Sequence, residues 1–217
     1  VLQEIQKVLD SKWISGGPAI GRFEDAVKAY NNDPEGHYAA CANASVGLEM
    51  ALEYYGVGEG HEVIVPSWSW VATAFVVSRR KATPVWVDVN PDGTMDFAAV
   101  QSLITPRTKA IILVHQMGIP SDIDAYNVLT DAHGIPIIED AACAFGSEYR
   151  GRKIGVSKNI VVYSFQAKKC LTTGEGGMIV CRSKEEDAFF RSMRAFGTNV
   201  SPLERDRANF LIKENFV

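Results

Sequence analysis

The chain has 217 residues, 47% hydrophobic and 22% charged, an ordinary globular composition whose length allows one large domain or two small ones. The net charge of −4 gives no sign of a nucleic-acid or anionic-membrane partner. Cys41, Cys143, Cys170 and Cys181 include no CxxC pair, so no zinc knuckle or redox motif is indicated and no metal site is expected. No apolar run is long enough to span a bilayer.

In chain order, short apolar runs alternate with longer amphipathic stretches. Strands are predicted at 38–41, 62–65, 84–88, 110–115, 136–140, 160–164 and 178–181. Several are rich in Val and Ile with little polar alternation, as buried parallel strands are. Helices are predicted at 45–55, 69–79, 97–104, 122–133 and 185–196, with Ser45 and Ser69 as starts and Gly56 and Gly134 as stops. The pattern predicts an α/β fold with a mostly parallel seven-stranded sheet sandwiched by helices. The last two strands are joined by a Gly-rich turn with no helix, so one of them is expected to run antiparallel. Three of the four cysteines lie in apolar surroundings, as reduced buried cysteines do, and a cytoplasmic setting is the default expectation.

Residues 1–35 are expected to form an N-terminal helical segment, 36–200 the large domain, and 201–217 the start of a connection to a further, C-terminal domain. The chain starts inside a helix-like stretch and stops without a closing element, so the expectation is a part of a longer protein.

Ligands of open α/β sheets bind outside the carboxyl ends of the strands. Asn43, Pro66, His115, Asp140 and Ser164 all fall at or just past predicted strand ends and are expected to face one crevice.

Four segments there carry chemistry. Ser164-Phe-Gln-Ala-Lys-Lys-Cys-Leu-Thr-Thr-Gly-Glu-Gly-Gly177 is a strand end, two lysines and a Gly-rich turn. Glycine permits close approach to a ligand, and a lysine fixed there becomes a nucleophilic amine if desolvation removes its charge. Ile137-Ile-Glu-Asp-Ala-Ala-Cys-Ala-Phe-Gly146 ends an apolar strand on two carboxylates. A buried carboxylate needs a positive partner, and a protonated pyridine nitrogen serves. Cys41-Ala-Asn-Ala-Ser-Val-Gly-Leu48 leads a strand into a helix whose exposed first amides suit a phosphate. Val65-Pro-Ser-Trp-Ser-Trp-Val-Ala-Thr73 offers flat indole faces to an aromatic ring. Each segment also has a plain alternative: a tight hairpin with solvated lysines, an Asp140 helix cap, a simple capped helix, and core tryptophans. The four together, in one chain, favour the site.

These residues resemble the DegT/DnrJ/EryC1/StrS family of pyridoxal-phosphate (PLP) nucleotide-sugar aminotransferases, of fold type I. The resemblance runs from Trp13-Ile-Ser-Gly-Gly-Pro-Ala-Ile-Gly-Arg-Phe-Glu24 to Gly197. Its most specific pieces are Ser164-Phe165 with a lysine five residues after the serine, Thr172-Thr-Gly-Glu-Gly-Gly177, and Glu139-Asp140-Ala-Ala142.

The resemblance implies Lys169, not Lys168, as the Schiff-base lysine and Asp140 as the acid on the pyridine nitrogen. It implies Trp70, not Trp68, as the stacking ring, and Asn43-Ala44-Ser45 with Ser164 as the phosphate site. Gly146 to Gly155 resembles the family's hairpin after the acid, while His115 to Gly118 matches a strand end with no assigned role. Where the family usually has Gly-Thr this chain has Ala44-Ser45, and where it has Gln or His three residues after the acid this chain has Cys143, a poorer hydrogen-bond partner for the cofactor's phenolic oxygen. The implied cofactor is pyridoxal 5'-phosphate. The implied partners are an amino-acid donor, glutamate by resemblance, a nucleotide-linked keto-sugar, and a second copy in a homodimer with shared active sites. The alternatives are a sugar dehydratase-type relative, which would carry His at the lysine position, and a non-catalytic regulatory relative on the same fold. A Rossmann nucleotide-binding domain is disfavoured because no G-x-G-x-x-G follows the first strand.

Overall fold

A computed structural model describes residues 2–198; the connection expected at 201–217 lies outside them. Two helices, α1 (Leu2–Asp10) and α2 (Pro18–Tyr30), precede nine strands and five further helices. The strands are β1 (His37–Cys41), β2 (Glu62–Pro66), β3 (Thr83–Val87), β4 (Thr108–Val114), β5 (Ile137–Asp140), β6 (Glu148–Tyr149), β7 (Arg152–Lys153), β8 (Ile160–Ser164) and β9 (Gly177–Cys181). The helices are α3 (Ala44–Tyr54), α4 (Ala72–Arg79), α5 (Phe97–Leu103), α6 (Ile123–His133) and α7 (Lys184–Arg194).

Seven strands form one sheet in the order β1-β9-β8-β5-β4-β2-β3, and β6 and β7 make a separate hairpin. The expected α/β sheet is therefore present, and the reversed strand is β9, antiparallel to both β1 and β8. The other contacts in the sheet are parallel. Every residue of β2, β8 and β9 is buried, which explains why these segments read as unbroken apolar runs. At one edge, β3 leaves Trp86 half-exposed and carries Pro84, a residue that edge strands tolerate.

Side chains of successive strand residues enter two cores. Ile112, Ile138, Val162 and Ile179 pack with Leu48 of α3, Val76 of α4 and Phe190 of α7. Ile111, Leu113, Val161 and Val180 pack with Val27 of α2, Val100 of α5 and Tyr126 of α6. The helix α2 is also tied in by charge: Glu24 accepts from the Ala40 amide at 2.9 Å and pairs with Arg191 and Arg194 at 2.9 and 2.6 Å.

Two predicted helix starts are corrected. Asn43 caps α3, its Oδ1 accepting from the Val46 amide at 2.9 Å, so Ser45 lies inside the first turn. The helix α4 begins at Ala72 because the Ser69 hydroxyl bonds Thr73 Oγ1 at 2.7 Å instead of capping a backbone amide. The cysteine reading is corrected as well: only Cys181 is buried, Cys41 is half-buried, and Cys143 and Cys170 are exposed.

Candidate active site

The carboxyl ends of β1, β5 and β8 lie on one edge of the sheet, and the reversed β9 begins there. Gly177 is the hinge of this corner, paired with Cys41 on one side and Ser164 on the other. A Cβ on Gly177 would fall 2.6 Å from the Asn43 carbonyl carbon and 2.8 Å from the Ala44 nitrogen. Glycine is thus required for the first turn of α3 to lie against β9. Asn43 satisfies the third amide of that turn. The amides of Ala44 and Ser45 have no intrahelical acceptor, as in any first turn, and point where the helix dipole favours an anion. Ser164 sits beside them, its Oγ accepting from the Gln166 amide at 3.4 Å.

Strand alternation sends the two carboxylates of β5 to opposite faces. Glu139 is buried and internally satisfied: it accepts from His115 Nε2 at 3.0 Å, Ser157 Oγ at 2.6 Å and Asn159 Nδ2 at 2.8 Å. The Ser121 amide donates to His115 Nδ1 at 3.2 Å, which leaves Nε2 to carry the proton. Burial works to raise the Glu139 pKa, but these donors and the imidazole outweigh it and hold the carboxyl below its usual range. This gives His115 a structural role as the buried partner of Glu139.

Asp140 is buried without such cover. Its Oδ1 accepts from the Ala142 amide at 3.1 Å and its Oδ2 from Thr73 Oγ1 at 3.1 Å. Ser69 donates in turn to Thr73, so a short hydroxyl chain leads from the loop before α4 to the carboxylate. Burial pushes the Asp140 pKa up, opposed by the Ala142 amide, the Thr73 hydroxyl and the positive charge of Lys169. The capping reading of Asp140 does not apply, because a turn and not a helix follows β5.

The two lysines differ. Lys168 is exposed, its amide held by Gln166 Oε1 at 2.9 Å. Lys169 is half-buried, its amide donating to the Gln166 carbonyl at 2.9 Å and its Nζ reaching Cys143 Sγ at 3.2 Å. The turn that carries them is pinned between Phe165 and the glycines: the Phe165 amide bonds the Gly176 carbonyl and the Thr173 amide bonds the Phe165 carbonyl. Of the two candidate indoles, Trp68 packs against Gly93, whereas Trp70 is 76% exposed and its carbonyl accepts from the Thr73 amide at 3.0 Å.

The structure thus joins Asp140, Cys143 and Lys169 in one cluster, and Asn43, Ala44, Ser45 and Ser164 in a corner around Gly177. Trp70 joins the first through Thr73. Thr73 and Gln166 were not singled out from the sequence, and Ser69 was read only as a helix start. A Ser and a Thr four residues apart carry no signal when their partner stands sixty-seven positions away.

A family model described as the DegT/DnrJ/EryC1/StrS aminotransferase family matches residues 1–211. The chain belongs to that family. Among solved structures it is 37% identical to S. venezuelae DesV in complex with a ketimine intermediate, with a TM-score of 0.84 over 92% of this chain and 55% of that one. It is 33% identical to DesI in the presence of its TDP-sugar product, with a TM-score of 0.83 over 94% and 52%. It is 30% identical to Spr1654 from Streptococcus pneumoniae, a putative sugar aminotransferase in its PLP form, with a TM-score of 0.83 over 90% and 55%. The chain therefore spans about half the length of the structures it matches.

The residues fit the family's cofactor in two respects. A buried carboxylate with a raised pKa and, among the described residues, no cation bonded to it can accept a pyridinium hydrogen bond. A helix N-terminus pressed onto a glycine strand start suits a phosphate. Among the described residues no helix is long and apolar enough to cross a membrane.

Proposed function

We propose that this protein is a PLP-dependent aminotransferase that moves an amino group from glutamate to a nucleotide-linked keto-sugar, acting as a cytoplasmic homodimer. In this reading residues 36–200 are the cofactor-binding domain, residues 1–35 an N-terminal helical segment, and 201–217 the start of a connection to a C-terminal domain. The observation that carries it is the buried Asp140 carboxylate at a strand end with the Lys169 amine on the neighbouring loop. Exposed apolar surface at Trp70, Val71 and Phe75, beside Thr73, supports a second copy closing over the crevice.

When bound, the cofactor supplies the electron sink that makes the α-carbon of an amino acid acidic. The amides of Ala44 and Ser45, with the Asn43 side chain fixing the turn and the Ser164 hydroxyl beside it, bind the phosphate. Trp70 covers one face of the ring. Asp140, oriented by Thr73 and the Ala142 amide, keeps a proton on the ring nitrogen. Lys169 Nζ would take the proton from the donor's α-carbon as general base and hold it for return as general acid. Cys143 stands where the family has Gln or His and contacts that amine.

The lysine at position 169 favours transamination over dehydratase-type chemistry, which needs no amine there. The test is a half-reaction. Glutamate should convert the protein's visible band to that of the amine form with release of 2-oxoglutarate. An unchanged band in folded, PLP-loaded protein would exclude glutamate as donor.

A further inference from the structure

Cys143 and Lys169 come from different loops, one after β5 and one after β8, and meet with Sγ and Nζ 3.2 Å apart. The thiol is exposed and the amine half-buried, so small solutes reach both. The lysine stem is a flexible four-carbon chain, so Nζ can approach the sulfur further. A second exposed thiol, Cys170, adjoins Lys169 in the chain, but its Sγ bonds the Phe145 carbonyl at 3.6 Å. The pair is therefore a thiol with an amine as its immediate neighbour, an arrangement with its own oxidative chemistry.

We propose that Cys143 and Lys169 form a thiol-reversible sulfenamide cross-link when the protein meets hydrogen peroxide. In the first step the Cys143 sulfur attacks peroxide. The O–O bond breaks, the sulfur gains an S–OH group and loses two electrons, and the displaced hydroxide leaves as water with the thiol proton. In the second step the free amine of Lys169 attacks that sulfur. The N–S bond forms, the S–O bond breaks, and hydroxide leaves as water with the amine proton. Peroxide is thereby reduced to two waters, and the thiol and amine each lose one hydrogen. A small thiol reverses the link: it bonds to Cys143 sulfur while its proton goes to the lysine nitrogen, and a second thiol then frees Cys143 as the disulfide of the two.

The link itself stands on geometry alone. Its consequence rests on the proposed function: a cross-linked Lys169 cannot carry the cofactor, and a cofactor-bound Lys169 cannot be cross-linked.

The experiment is peroxide treatment of the purified protein, loaded with PLP or stripped by hydroxylamine, followed by digestion and mass spectrometry. The stripped protein should yield the Cys143 and Lys169 peptides joined, two hydrogens lighter than their sum, and separated by dithiothreitol. A Cys170→Ser variant should keep the link and a Cys143→Ser variant lose it. Cys143 oxidised to sulfinic acid, or joined to Cys170, with Lys169 unmodified in the stripped protein would overturn the proposal. Equal cross-linking with and without PLP would overturn the consequence while leaving the link intact.

Discussion

Thr73 Oγ1 donates to Asp140 Oδ2 at 3.1 Å from the first turn of α4, and Thr73 is itself buried. This bond aims a buried strand-end carboxylate that has no ion-pair partner among the described residues.

Replacing Thr73 with Val should cost about 1–3 kcal/mol, because an isosteric methyl leaves a buried carboxylate oxygen without its donor. It should also weaken PLP binding, read by titrating the visible band. Thr73→Ser should restore both. A Thr73→Val protein with unchanged PLP affinity would show that the bond does not aim Asp140.

Asp140 is held above the usual carboxylate range by burial. A carboxyl with a raised folded pKa binds its proton more tightly folded than unfolded. It therefore penalises stability above that pKa, and the penalty fades as pH falls through it. Asp140→Asn should accordingly raise the melting temperature of the cofactor-free protein at neutral pH, by about 2–4 °C for each kcal/mol recovered. The same variant should lose about 10²–10³ in turnover, the scale of a missing preorganised electrostatic group. Thermal scans at neutral pH and at pH 4 check the sign: the advantage should shrink in acid.

Glu139 behaves oppositely. Burial raises its pKa, but His115, Ser157 and Asn159 prevail and lower it below the ordinary 4.5. Its contribution is present above that unfolded value and is lost as pH falls through the lower folded one. Glu139→Gln should cost about 1–3 kcal/mol at pH 7, because the amide nitrogen it introduces leaves a buried donor without an acceptor. In urea unfolding the gap from wild type should narrow at acidic pH. A constant gap would assign the loss to packing alone.

Gly177→Ala should push the start of β9 away from Asn43 and Ala44, costing about 1–3 kcal/mol as an overpacked position. Phosphate-dependent affinity should fall more than stability, measured by comparing PLP with pyridoxal. An equal loss for both ligands would place the phosphate elsewhere.

Much of this architecture was legible in the sequence, and the reasons are physical. Strands buried on both faces leave apolar runs, so all seven strands of the sheet could be read, and the absence of a helix between β8 and β9 marked a reversal. Strand ends share one edge in such a sheet, which is why Asn43, Asp140 and Ser164 could be grouped. Strand alternation places Glu139 and Asp140 on opposite faces, but nothing in the pair itself says that His115 would hydrogen-bond the first. Ser69 looked like a helix cap because capping residues are recognised by type, while its actual partner, Thr73, is set by Asp140 far along the chain. The exposure of Cys143 was hidden by its small apolar neighbours Ala142 and Ala144, whose side chains do not report which way a turn faces.

The central claim is that Lys169 carries the cofactor, and the most direct measurement is borohydride reduction of the PLP-loaded protein with the modified peptide mapped by mass spectrometry. A pyridoxyl label on Lys169 is the predicted result. A label on Lys168, or a folded, PLP-loaded protein with no reducible linkage, would contradict it.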